Sequence, residues 1–121
     1  MPSPDLTLPF RTPVPAGSIT VAHQVIAKIA GKAARATYGV VGMQESSVRK
    51  LARFFRGHLS EGVEVAVDQG QANIGLHVVM ERGLNLAQVT ANLQEQVRYQ
   101  VEQVGGVPVG EISVRVEDLQ D

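Results

Sequence analysis

The sequence predicts an α+β fold, a two-layer sandwich in which two main helices cover one face of a mixed β-sheet. Three observations support it: two stretches with apolar residues at helical spacing, a pair of alternating segments joined by a turn, and a final alternating segment. The predicted order is strand, helix, strand, hairpin, helix, strand. A hairpin followed by a helix and a returning strand indicates a split βαβ arrangement.

The first predicted helix follows residues 1–16, which contain five prolines and are predicted to form a disordered tail. Thr20 is the predicted helix cap, and the helix should end near 37–39. A short strand is predicted over 40–43. The apolar positions of this helix are Val21, Val25, Ile26, Ile29, Ala30 and Ala33.

The two segments that follow 60 alternate as strands do. Asp68-Gln69-Gly70-Gln71 lies between them and is typical of a tight turn, so a β-hairpin is predicted. The positions that share one face are Val63, Val65 and Val67 on the first strand, and Ile74, Leu76, Val78 and Met80 on the second.

The second helix has the strongest periodic signal in the chain. Asn85 is predicted to cap it, with Gln88 in the reciprocal capping position, and Gly105-Gly106 to end it. Its apolar positions are Leu86, Val89, Leu93, Val97, Val101 and Val104. A last strand is predicted over about 107–116, with Ile112, Val114 and Val116 facing the core.

Length and composition indicate one domain, over 17–119, in a chain of 121 residues. The chain has no cysteine, which excludes disulfides and thiolate metal sites. The N-terminus lacks the basic start and apolar stretch of a secretory signal. No apolar run approaches the roughly 20 residues that cross a bilayer. We therefore expect a cytoplasmic, soluble protein, unless a partner holds it peripherally at a membrane.

Charge is distributed unevenly along the chain. Residues 28–56 include seven basic residues and one acidic residue, whereas 61–121 include ten acidic and three basic residues. This asymmetry suggests an acidic partner for the first half or head-to-tail self-association. The alternative is two ordinary solvated faces.

The segment 45–59 combines cations with aromatic residues and reads either as a short amphipathic helix or as a mobile basic loop. It could bind an anionic membrane surface, a nucleic-acid backbone or an acidic patch of another protein. Alternatively, its apolar residues pack into the domain while the cations cover the outside. The candidate partner-binding or anionic-surface-binding residues are Arg49, Lys50, Arg53, Phe54, Phe55 and Arg56.

No catalytic, cofactor-binding or metal-binding residues are predicted. His23, His58 and His77 are not at metal-ligand spacing, and no serine is bracketed by a nucleophile motif. Two carboxylate pairs, Glu61/Glu64 and Glu117/Asp118, are interpreted as surface residues that aid solubility rather than proton transfer.

An ordered series of segments nevertheless resembles a known family. The segments are GSITV at 17–21, YGVVGM at 38–43, GVEVAV at 62–67, IGLHVV at 74–79, GLNL at 83–86 and ISVRVE at 112–117. Together they resemble the alkaline shock protein family, general-stress and cell-envelope-related proteins of bacteria, over residues 16–119. The resemblance implies a small cytoplasmic protein without enzymatic activity or cofactor, which self-associates or is held at the membrane by a small integral-membrane partner.

The expected function is thus non-enzymatic and cell-envelope- or stress-related, through self-association or a membrane-anchored partner. The sheet face opposite the helices is the expected contact surface, with strand edges as another route. That face includes Gln71, Asn73, His77, Val79 and Ala66. The alternative is a module that binds nucleic acid or another anionic surface through 28–56. Missing stacking aromatics and the acidic second half make nucleic acid the less favoured partner.

Overall fold

The computed structural model describes residues 20–44 and 57–121, and only the backbone of 57–60. In chain order the elements are α1 (His23–Arg35), β1 (Val40–Met43), β2 (Gly57–Ser60), β3 (Val63–Asp68), β4 (Gln71–Glu81), α2 (Leu86–Gln103) and β5 (Val109–Gln120). The predicted strand before the first helix and the predicted 1–16 tail lie outside the described residues. Residues 45–56 of the segment 45–59 also lie outside the described residues. The last residues of that segment belong to β2, a strand that the sequence did not indicate.

Strand β4 is the centre of the sheet. β3 and β1 follow each other along one edge of β4, both antiparallel to it, and β5 runs parallel to β4 along the other edge. β2 pairs with the outer edge of β3. The sheet is therefore mixed, as predicted.

The hairpin between β3 and β4 forms as predicted, with Asp68 paired to Gln71. Its two loop residues, Gln69 and Gly70, both have positive φ, at 52° and 78°. This left-handed conformation at both positions matches the twist of the flanking strands, which is why glycine is favoured there.

Helix α2 connects β4 to β5, and these two parallel strands are direct neighbours. The order of elements from α1 onward agrees with the prediction apart from the added β2. The unit is nevertheless a contiguous βαβ rather than a split one. The tight hairpin occupies one edge of β4 with β3, so the other edge remains for the returning strand.

The start of α2 is also as predicted, because the Asn85 side chain accepts a hydrogen bond from the Gln88 backbone N–H. No reciprocal bond forms from the Asn85 N–H to the Gln88 side-chain oxygen, and the side-chain N–H of Gln88 donates to Asn92 Oδ1. The predicted cap of α1 is wrong. The helix begins at His23 after Ala22, which makes no side-chain capping bond, so Thr20 lies outside it.

Both helices pack on one face of the sheet, and the α+β two-layer prediction is confirmed. The two helices contact each other, α1 also contacts β1, β2 and β3, and α2 contacts β5. The largest fully buried side chains are aliphatic: Ile26, Ile74, Leu76, Met80, Leu93, Val63, Val65, Val78, Val97 and Val101. Three of the apolar positions assigned to buried faces are wrong, because Val25, Val67 and Val104 are 42%, 46% and 67% exposed.

The contrast between Leu93 and Val104 tests this core assignment. Leu93→Ala leaves a cavity between α2 and the sheet, so we expect the free energy of unfolding to fall by about 2–4 kcal/mol. Val104→Ala, at an exposed position predicted from sequence to be buried, should change it by less than about 0.5 kcal/mol. Urea denaturation measures both. Similar losses for the two variants would contradict the assignment.

Candidate functional site

The six predicted binding residues, Arg49 to Arg56, lie outside the described residues, and their role stays a prediction. Of the other cations between 28 and 56, three lie on α1. Arg35 Nη2 lies 3.0 Å from Glu61 Oε1 in an exposed ion pair. Lys28 and Lys32 instead line a groove between the helices.

A cluster of charged side chains surrounds His77 on the sheet face opposite the helices. His77 Nδ1 lies 2.6 Å from Glu117 Oε2, and Nε2 lies 3.3 Å from Glu64 Oε1. Arg115 Nε lies 3.3 Å from the same Glu117 oxygen. The His77 side chain is only 8% exposed and that of Glu117 14%. The cluster therefore joins β3, β4 and β5 by partly buried charge-assisted contacts.

Two features of the backbone build this cluster. A methyl group on Gly75 would lie 2.8 Å from Glu64 Oε1, so the glycine leaves room for the carboxylate to reach toward His77. The register of β5 against β4 shifts, because Val78 and Val79 pair with Val116 and Asp118. Glu117 therefore has no paired residue on β4. An extra residue of this kind in one strand changes the direction of its side chain.

The interpretation of Glu64 and Glu117 as solubilising surface residues is thus wrong for Glu117 and incomplete for Glu64. Strand alternation does predict that Glu64 and His77 share a face. The missing information is the register between β4 and β5, which brings Glu117 to the imidazole and cannot be read from either strand alone.

The geometry of the cluster suits a structural role, in which it links three strands, better than a catalytic role. Each ring nitrogen of His77 faces a different carboxylate, so neither faces a nucleophile that it could activate. The two carboxylates lie at opposite sides of the ring rather than converging on one cation. Among the side chains that the structure describes, in 20–44 and 61–121, no three of His, Asp or Glu are arranged to hold a metal ion.

Of the residues expected to form the contact surface of the sheet, Gln71 and Ala66 are exposed, whereas the others are at least partly buried. Val79 is only 6% exposed, and Asn73 Oδ1 accepts a hydrogen bond from the Glu111 backbone N–H. The outer strand β5 is covered at its start by α2 side chains. Arg98 donates to the carbonyls of Val109 and Gly110, Gln94 donates to that of Ile112, and Glu102 accepts from the Val109 N–H. Such contacts block sheet extension at that edge.

The outer surface of the helix layer is different, because a groove of about 740 Å³ runs between α1 and α2. Tyr38 and Val104 border it and are 77% and 67% exposed. The α1 wall consists of Lys28, Ile29, Lys32, Ala33 and Ala36, and the α2 wall of Asn92, Glu95, Gln96 and Gln100, with Thr37 completing the lining.

Comparison with known proteins identifies the family. The model of the alkaline shock protein 23 family, described as having a cell envelope-related function, matches residues 12–120. The chain belongs to this family. The resemblance that the ordered segments of the sequence indicate is thereby confirmed. None of the helices in the described part of the chain is long and apolar enough to span a membrane.

Individual relatives agree with this membership. The chain is 32% identical over 107 residues to the uncharacterized protein YloU of Bacillus subtilis, covering 86% of this chain and 89% of YloU. It is 27% identical to the uncharacterized protein Spy1614 of Streptococcus pyogenes, covering 86% of this chain and 88% of that protein. YqhY of Bacillus subtilis is also 27% identical, with 86% of this chain and 78% of YqhY covered.

The contribution of the His77 cluster to stability can be measured at Glu117. Glu117→Gln keeps the shape but removes the charge that faces His77 and Arg115, so we expect a loss of about 1–2 kcal/mol in unfolding free energy. Glu111→Gln, at an exposed position on the same strand, is the matched control and should change it by less than about 0.5 kcal/mol. Equal effects at the two positions would mean that the cluster contributes nothing specific.

A double-mutant cycle with Glu64 measures whether Gly75 is needed for the contact between Glu64 and His77. Alanine in a strand interior is normally favoured over glycine by about 0.5–1 kcal/mol, and Gly75→Ala should show this gain in a Glu64→Ala background. With Glu64 present, the added methyl displaces the carboxylate from His77, and the gain should be lost. Chemical denaturation of the four proteins gives the coupling. Additive effects would show that Gly75 is not needed for the Glu64 contact.

Proposed function

We propose that this protein is a non-enzymatic binding protein with a cell-envelope-related role, and that the groove between α1 and α2 receives another protein chain. The observation that carries the proposal is the groove itself. It exposes Tyr38 and Val104, two large apolar residues, beside Lys28 and Lys32. A concave surface lined largely by apolar side chains, with a few polar groups at its edge, is typical of a binding site.

The arrangement of the other surfaces supports the same choice. The sheet face opposite the helices carries the ion-paired cluster of Glu64, His77, Glu117 and Arg115. The start of β5 has its backbone groups occupied by side chains of α2. These charged groups and backbone groups thus have partners within the chain, whereas the groove is concave and exposes two large apolar side chains.

The proposed partner is a second copy of this chain or a membrane-anchored protein, with the chain itself in the cytoplasm. The family's cell-envelope-related description supports the second alternative. Binding to a membrane-anchored partner would bring the chain to the membrane.

Site-specific photo-crosslinking tests this proposal in native-host cells with membranes retained. Ala36 lies in the groove, and Ala66 is an exposed alanine on the opposite face of the sheet, so the two give a matched pair. A photoreactive amino acid at 36 should give a protein crosslink, whereas the same residue at 66 should not. Mass spectrometry of the crosslinked peptide distinguishes a second copy from a membrane protein.

Two outcomes would contradict the proposal. Crosslinks from 66 but not from 36 would move the contact surface to the sheet. A product at 36 that is removed by nuclease would favour the alternative, a nucleic-acid-binding module based on 28–56.

A further inference from the structure

We infer that the occupant of the groove is an amphipathic helix with an acidic flank, supplied by a partner protein. This inference rests on the proposed function and names the chemistry of the partner. It follows from three properties of the groove: the direction of the two helices that form it, the size of the residues along it, and the charges on its walls.

The helices run antiparallel along the groove. Ile29, in the first half of α1, lies against Gly105 at the end of α2, whereas Gly39 after α1 lies against Val89 in the first turn of α2. The α1 wall extends from Lys28 to Ala36, which is about 12 Å at 1.5 Å per residue. A groove of this length between two helices can accept the side-chain ridge of a third helix over about two turns.

The residues along the groove provide space for such a ridge. Ala33 and Ala36 are small, and they lie between the bulkier Ile29 and Tyr38 on the α1 side. Tyr38 and Val104 lie toward opposite ends of the groove. Each can contact an apolar side chain near one end of a bound helix. The rim residues are exposed, so the groove is too open to surround a small molecule, which binding pockets normally bury by 70–90%.

The charges define the flank of the partner. Lys28 and Lys32 are one helical turn apart on the α1 wall, whereas the α2 wall presents amides, Gln96 and Gln100, together with Glu95. Carboxylates spaced by one turn on a bound helix would face both lysines, and Glu95 would repel them from the other wall. The partner therefore carries its acidic flank toward α1 and a neutral or basic flank toward α2.

The described helices of a second copy do not fit this description. α1 has no acidic residue, and α2 combines Glu95 and Glu102 with Arg98 on its surface. A bilayer surface or a nucleic-acid backbone fits less well, because two lysines beside an apolar concave floor offer few phosphate contacts. An acidic amphipathic helix of another protein satisfies both the apolar lining and the charges.

The test uses two designed, stapled helical peptides of about three turns, each with a leucine ridge. One carries glutamates on one flank, and the other carries lysines at the same positions. Fluorescence anisotropy with the full chain should show that the acidic peptide binds at least tenfold more tightly than the basic one. Binding of the acidic peptide should weaken as salt is raised.

Variants of the protein then locate the site. Lys32→Glu should weaken binding of the acidic peptide about tenfold, whereas Arg82→Glu, which changes the charge equally at an exposed position away from the groove, should not. The double variant K28E/K32E should reverse the preference and bind the basic peptide. Ala36→Trp should fill the groove and abolish binding of both peptides, with an unchanged circular dichroism spectrum showing that the variant is folded.

The inference would be overturned if the acidic peptide fails to bind, or binds K28E/K32E as tightly as the wild type. It would also be overturned if vesicles of anionic lipid or a single-stranded oligonucleotide displace the peptide and bind the groove more tightly. A protein crosslink from position 36 together with no binding of the acidic peptide would leave the proposed function standing and reject only the identity of the partner.

Discussion

The hydrogen-bonding of β4 is the constraint on which the rest of the structure depends. Three strands pair with β4, and its residues Ile74, Leu76, Val78 and Met80 form the floor on which both helices pack. β3 and β1 share one edge of β4, and the two pairings meet at His77. The His77 N–H donates to the Gly62 carbonyl of the β3 side, and the His77 carbonyl accepts from the Gln44 N–H of the β1 side.

The same residue therefore joins the sheet through both its backbone and its side chain. Gly62 has φ of 84°, and a Cβ there would lie 3.0 Å from the carbonyl oxygens of Gln44 and His77, so glycine is required at this junction. The imidazole then connects β3 and β5 across β4. Partly buried charges contribute little net stability when paired but cost much when one partner is lost, and such contacts favour one register over its alternatives. We interpret the cluster in this way, as a determinant of register.

The parts of the fold that sequence predicts well are those set by local period and turn chemistry. The hairpin at 68–71 and the four central core positions of α2, from Val89 to Val101, follow from alternation and helical spacing alone. The parts that sequence misses depend on contacts between distant elements. Glu117 reaches His77 only through the β4–β5 register, and the groove arises because Lys28 and Gln100, far apart in the sequence, line the same space. Val104 continues the apolar period of α2, so a periodic pattern assigns it to the core, but it is the C-cap residue of the helix and its side chain is exposed.

The few aromatic residues of this small domain bear on how its groove can bind a partner. Its aromatic content is only 4%, and two of its five aromatic residues, Tyr38 and Tyr99, are exposed tyrosines on or beside the helix layer. A rigid aromatic ring contributes much contact area with little loss of conformational entropy, whereas lysines lose more freedom on binding. Affinity at the groove should accordingly come from Tyr38 and its apolar neighbours. The two lysines would instead select the partner and set its orientation, because a like charge at that wall is strongly unfavourable.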